Sequence, residues 1–203
     1  MAVPCEDVPS SSPARVEGGP EAYVEASVRG DRRAVEALLA KIRPVVVKYC
    51  RARLGGGQRS STSAEDVAQE VCLAVLKALP SYREQGRPFM AFVYGIAAHK
   101  VADAHRAAAR NRAESVPELP DSAGAEPGPE LRALQGELSD RMGRLLDVLP
   151  ERQREILVLR VVLGLSAEET AASVGSTPGA VRVAQHRALA RLRKAMGGVA
   201  NGA

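Results

Sequence analysis

The stretch from Ser166 to Arg182 leaves the backbone little choice. Ser166 can cap a short helix, and Glu169, three residues on, completes a capping box. Ala171 suits a close approach of two helices. Four residues later Gly175 can take the left-handed conformation that a sharp helix-to-helix turn requires. Thr177 then caps a second helix that Pro178 opens, and Val181 points back into a core. This Ala-Gly-Val spacing predicts a helix-turn-helix over residues 166 to about 194.

The outer face of the second helix carries Thr177, Pro178, Gly179, Arg182, Val183, His186 and Arg187. Between Pro178 and Met196 there are five basic residues and no acid: Arg182, Arg187, Arg191, Arg193 and Lys194. A positively charged helix of this kind fits a DNA major groove and its flanking phosphates. A solvated basic helix in a helical hairpin is the plain competing explanation. The turn chemistry tips the reading toward DNA.

The rest of the chain is also helical in pattern. Aromatics are 3% of the 203 residues and Trp is absent, so any core is aliphatic and alanine-rich, which favours helices over sheets. Residues 1–20 read as a disordered tail rich in Ser, Pro and Gly, without a signal peptide's apolar segment. Helical spacing runs from Glu21 to Leu54, broken near Gly30-Asp31, with Pro44 expected to kink or restart the second helix. Ser63 and the acids after it start another helix, whose Val67, Val71, Val75 and Leu79 follow at i+4 steps until Pro80 closes it. A loop, Pro80 to Pro88, leads into a long helix from Phe89 to about Arg112.

Charge divides the chain further. Residues 21–112 carry +7, residues 113–140 carry −6, and residues 141–203 carry +5. Two basic blocks around an acidic spacer suggest two polyanion-binding modules. The expected architecture is all-α: a helical domain at 21–112, a flexible acidic linker at 113–128, and a helix-turn-helix domain at 129–197 with a short tail at 198–203. Helical spacing within that second domain resumes at Leu131 and runs to Leu149, and a helix from about Pro150 to Leu163 follows.

Several function classes are disfavoured. Cys5, Cys50 and Cys72 are isolated, with no CxxC, so neither a disulfide framework nor a metal site is expected, and Cys72 reads as a buried thiol. His99, His105 and His186 are scattered, and no phosphate-binding glycine loop or nucleophile grouping is visible, so neither an enzyme nor a cofactor is expected. No apolar run nears the ~20 residues of a membrane span, so a cytoplasmic chain without membrane insertion is expected.

Two motifs then point to one family. Leu149-Pro150-Glu151-Arg152-Gln153-Arg154-Glu155, Leu159-Arg160 and the helix-turn-helix ending Ala180-Val181-Arg182 resemble the C-terminal domain of bacterial RNA polymerase sigma factors. The nearest type is the short, two-domain extracytoplasmic-function (ECF) class. Asp66-Val67-Ala68-Gln69-Glu70 resembles that family's N-terminal DxxQE helix. The resemblance implies a chain that directs core RNA polymerase to promoters, with the β and β′ subunits and promoter DNA as partners. It leaves room for an anti-sigma protein.

The same resemblance assigns roles by position. Asp66, Gln69, Glu70 and Leu73, opposite the Val67/Val71/Val75 stripe, would dock on polymerase. The loop with Tyr82, Arg83, Gln85 and Arg87 would capture an unstacked base of the minus-ten element, and His99, Lys100 and Arg106 would meet the adjoining duplex. Tyr82 is expected to be exposed for stacking, while most of Phe89, Phe92 and Tyr94 are expected in the core. Thr177 to Arg187 would read the minus-thirty-five element. Glu114, Glu118, Asp121 and Glu126 would thread the acidic linker into the polymerase cleft. The alternative is a conventional helix-turn-helix regulator, which leaves the DxxQE helix unexplained.

Overall fold

A computed structural model describes residues 19–55, 63–84, 86–114, 143 and 145–200. The described regular structure is helical. Helix α1 (Glu21–Val28) and helix α2 (Arg32–Leu54) part at Gly30, whose φ of 89° is the left-handed break that residue type permits. Asp31 caps α2, its carboxylate accepting from the Arg33 and Ala34 amides at 2.8 and 3.2 Å. Helix α3 (Ala64–Ala78) starts on a capping box. Asp66 N donates to Ser63 Oγ at 3.0 Å, and Ser63 N donates back to Asp66 at 3.3 Å. A tight turn, Leu79–Ser81, follows, and then helix α4 (Phe89–Glu114).

These helices pack through stripes at i+3 and i+4 spacing. Leu38, Ile42, Val46 and Tyr49 of α2 meet Val67, Val71 and Val75 of α3, and Val93, Ala97 and Val101 of α4. Each fully buried Val or Leu contributes about 1.5–3 kcal/mol. That packing accounts for one departure from expectation. Pro44 neither ends nor restarts α2, which runs unbroken through it. The ring lies on the exposed side, and the buried stripe on the other side offsets the missing backbone bond. A second departure is Cys72, which is only partly buried beside the stripe, while Cys50 is fully buried with its thiol pushed up to about 12 by burial.

The C-terminal unit comprises helix α5 (Glu151–Leu157), which runs into a wider π turn at Val158–Val162, helix α6 (Ala167–Val174) and helix α7 (Pro178–Ala200). Its small core is Ile156, Ala167, Ala171 and Val181. Pro150 stands at the cap of α5, just before the first turn.

The two units also share a core. Leu146, Leu149, Leu157, Val158, Leu159 and Ala188 belong to the same continuous apolar cluster as α2, α3 and α4. Contacts run from α4 to α6 and from α2 to the π turn. Among the described residues no helix is long and apolar enough to cross a membrane. Residues 1–18 of the expected tail at 1–20, the linker carboxylates Glu118, Asp121 and Glu126, Gln85, and the apolar series Leu131 to Met142 lie outside the described residues, as does the side chain of Glu114, while Pro20 stands at the cap of α1.

Candidate nucleic-acid interface

The helix-turn-helix forms as its local chemistry dictates. Ser166 Oγ accepts from Glu169 N at 3.0 Å, and Glu169 accepts from Ser166 N at 2.7 Å. Those bonds hold the Glu169 carboxyl below the ordinary glutamate range. Gly175 adopts φ 60°, ψ 52°, the left-handed C-cap. Thr177 Oγ1 accepts from Ala180 N at 3.2 Å, and Val181 is fully buried. With Val181 inward, Thr177, Gly179, Arg182, Val183, His186 and Arg187 are exposed, and Pro178 is partly so.

The basic helix is less bare than its own sequence suggests. Arg182 Nη2 donates to Glu168 of α6 at 2.7 Å. Arg191 Nη1 donates to Gln153 of α5 at 2.8 Å, which turns that cation toward the protein. A helix read alone shows no acid; the fold brings one from fourteen residues upstream.

A groove of about 460 Å³ lies beside α4. It gathers Tyr82, Arg83 and Arg87 from the loop and Phe92 and His99 from the helix, four of them candidates expected on sequence grounds. Tyr82 corrects one expectation. Its ring is half-buried, 5.2 Å from Phe89 edge-on and 5.0 Å from Phe92. Burial raises its phenol above the usual value, with the nearby charges of Glu84 and Glu21 adding to the rise. Phe89 and Tyr94 are buried, as expected; Phe92 is half-buried and backs the groove. The physical reason is scarcity: with so few aromatics, the loop anchors itself on the ones nearby.

The α3 face carries Asp66, Gln69, Glu70 and Leu73, all exposed, Leu73 at 48%. The two acids nonetheless have structural partners. Asp66 closes the cap on Ser63, and Glu70 accepts from Lys100 Nζ at 3.0 Å. Arg106 pairs with Asp103 one turn away on α4. Among the described residues, Gln69 and Leu73 are the members of the set with no side-chain hydrogen bond or ion pair.

Sequence reasoning missed a polar cluster between the units, built on the buried Tyr49 and Arg53. Tyr49 OH lies 2.7–2.8 Å from both Glu155 oxygens. Arg53 Nε sits 2.9 Å from Glu155 Oε2, Arg53 also pairs with Glu151, and its side chain is 1% exposed. Burial pushes Glu155 up from its ordinary value, and the pull of Arg53 and Tyr49 only partly reverses this. Burial works against the Arg53 charge, but Glu155, Tyr49 and Glu151 outweigh it and leave its pKa raised. Tyr49 and Glu155 are 106 residues apart, so no spacing could have paired them. Among the described residues no cluster of His, Cys, Asp and Glu could hold a metal.

Family models match both units: sigma-70 region 2 over residues 38–111 and sigma-70 region 4 over residues 139–192. The chain is 63% identical over 173 residues to the ECF RNA polymerase sigma factor SigD of Mycobacterium tuberculosis, covering 85% of this chain and 82% of that one. The chain belongs to the ECF sigma factors. A further relative is the ECF RNA polymerase sigma factor ShbA of Streptomyces griseus, 53% identical over 181 residues, 85% of this chain and 92% of the other. Two solved structures share the fold. CnrH in complex with the cytosolic domain of CnrY has a TM-score of 0.65 at 23% identity, over 88% of this chain and 97% of that one. The sigma factor RpoE with the anti-sigma factor NepR from Bartonella quintana has a TM-score of 0.55 at 22% identity, over 80% and 96%. As a sigma factor the chain directs core RNA polymerase to promoters and initiates transcription there. The region 2 match contains α3, nearly all of α4 and the groove residues from Ala78 to His99, and the region 4 match contains the helix-turn-helix through Leu192. Tyr49 and Arg53 fall in the first match and Glu151 and Glu155 in the second, so this polar cluster ties the two regions of the sigma factor together.

Proposed function

We propose that this sigma factor grips core polymerase through α3, centred on Gln69 and Leu73 with Asp66 and Glu70 at their flanks. What supports the reading is exposure without a folding role: Leu73 is a large apolar side chain left 48% exposed on a helix whose opposite face is a full core stripe. The groove with Tyr82, Arg83 and Arg87 then holds an unstacked minus-ten base, with Gln85 on the same loop. His99, Lys100 and Arg106 follow the upstream strand. Arg182, Val183, His186 and Arg187, with Thr177, Pro178 and Gly179 at the helix start, meet the minus-thirty-five major groove. Glu114, Glu118, Asp121 and Glu126 lie along the polymerase's basic channel. The chain acts by binding and positioning in the cytoplasm, the chemistry being the polymerase's own. An anti-sigma partner of the kind seen with RpoE is a further element of this reading.

The test is core binding and run-off transcription with Gln69→Ala/Leu73→Ala. This pair spares the Asp66 cap, so melting should stay unchanged while core affinity falls on the order of tenfold, about 1.4 kcal/mol. Unchanged core affinity would remove α3 from the polymerase interface.

A further inference from the structure

We propose that Glu168, at the start of α6, is a specificity-determining residue for upstream DNA: it holds the Arg182 guanidinium ready for a guanine edge and keeps it off the phosphates. This role rests on the reading of α7 above, as the helix that meets the minus-thirty-five major groove.

Helix α6 opens with two consecutive acids, and its cap uses only one of them. Glu169 closes the capping box with Ser166. Glu168 is not needed for it. Its Oε1 instead accepts from Arg182 Nη2 at 2.7 Å, across the turn between the two helices. Both side chains are more than half exposed. An exposed ion pair adds little to stability. This one lies at the rim of the outer face of α7, so its consequence is in what that face binds.

A carboxylate at this position works against DNA binding in general. In a helix-turn-helix the first helix crosses the DNA backbone while the second enters the groove. An acid at the start of that first helix repels phosphates. Its own backbone amide holds the Glu168 carboxyl below the ordinary glutamate range, and the charges of Arg182 and Arg160 add to this. A repulsive charge that weakens all binding is useful where it weakens the wrong DNA more, which is how a site rejects competitors.

Arg182 supplies the attraction. A guanidinium carries five N–H donors in one plane. With one of them given to Glu168, enough remain for the two acceptors, O6 and N7, that guanine presents in the major groove. A free arginine reaches phosphates in many rotamers, and phosphates carry no sequence. A tethered one has lost most of those rotamers.

The next turn of α7 is held in the same manner. Arg160 Nε donates to Gln185 Oε1 at 3.0 Å, and Arg160 Nη1 donates to the Leu165 carbonyl. Arg182 and Gln185 are three residues apart and so are neighbours on the helix. Both are set by side chains from outside it. Arg187 is the contrast. It is exposed on the same helix, and among the described residues its side chain has no hydrogen bond or ion pair. Such a cation suits a phosphate.

The test uses the holoenzyme and a pool of double-stranded fragments randomised across the upstream element. Bound fragments are sequenced, and total binding is titrated against salt. The unmodified protein should enrich guanine at one position. Glu168→Gln keeps the size and removes the charge. It should cut that enrichment about tenfold and leave the other positions unchanged. Its salt dependence should steepen by about one log–log unit, as the freed guanidinium takes a phosphate. Glu168→Ala removes the bond altogether and should go at least as far. Arg182→Ala should lose the same guanine, and adding Glu168→Gln to it should change the enrichment no further. Arg187→Ala should weaken binding evenly across the pool. A guanine preference that survives both Glu168 variants, while Arg182→Ala removes it, would overturn the role of Glu168. So would an even loss across all sequences together with a lower melting temperature, which would make Glu168 a structural residue. Failure of the helix reading shows separately: Arg182→Ala would then leave both the enrichment and the total binding unchanged.

Discussion

The two surfaces proposed to face DNA are built in opposite ways. The recognition helix α7 is set by bonds no longer than four residues in sequence: Ser166 to Glu169, Thr177 to Ala180, and the left-handed Gly175 between them. It stands exposed. The groove proposed for the minus-ten base is assembled from a loop, the start of α4 and a wall supplied by α6, some ninety residues away. It is partly covered. A surface assembled from distant segments takes its shape from the packing of the whole chain, whereas one that depends on a single turn keeps its shape wherever it is.

The largest effect should come from breaking the local side of this contrast. Val181→Asp places a carboxylate without a partner in the small core of Ile156, Ala167 and Ala171, and should cost about 3 kcal/mol or more. Thermal melting followed by circular dichroism reads it. A loss below 1 kcal/mol would mean that Val181 does not seat the helix.

Next come the proposed contacts with DNA. Tyr82→Ala should weaken minus-ten single-strand binding in the holoenzyme by about 1–3 kcal/mol if the ring stacks on a base. Arg182→Ala should cost a similar ~1–3 kcal/mol on the upstream element if it reads a base edge. The two differ in their controls. An equal loss on scrambled upstream DNA would reduce Arg182 to a phosphate contact. Its tether to Glu168 sharpens the point, because Glu168→Gln should free the guanidinium and broaden sequence preference. Competition binding at fixed salt measures both.

Smaller effects test the turn and the cap. Gly175→Val forces a β-branched residue to φ 60° and should cost about 1–2 kcal/mol, seen as a lower melting temperature. Glu169 gives a pH signature. Its pKa is lowered by the bonds to Ser166, so the stability it contributes is present above the ordinary glutamate value, about 4.3, and is lost as pH falls through the lowered one. Melting between about pH 6 and pH 3 should show that decline, and Glu169→Gln should flatten it.

The sequence by itself determined the helices, their caps and the family. Ser63, Ser166 and Thr177 bond to amides three residues away, and the core stripes repeat every three or four, so both signals are written within a few turns. It also placed the exposed face of α7 and that of α3. Only the tertiary structure decided that Tyr82 leans on Phe92, that Glu168 reaches Arg182, that Arg191 bonds to Gln153, and that Glu155 lies partly buried between Tyr49 and Arg53. Those pairings span from ten residues to more than a hundred. Each depends on which surfaces the whole chain can bury together, and no local periodicity carries that information.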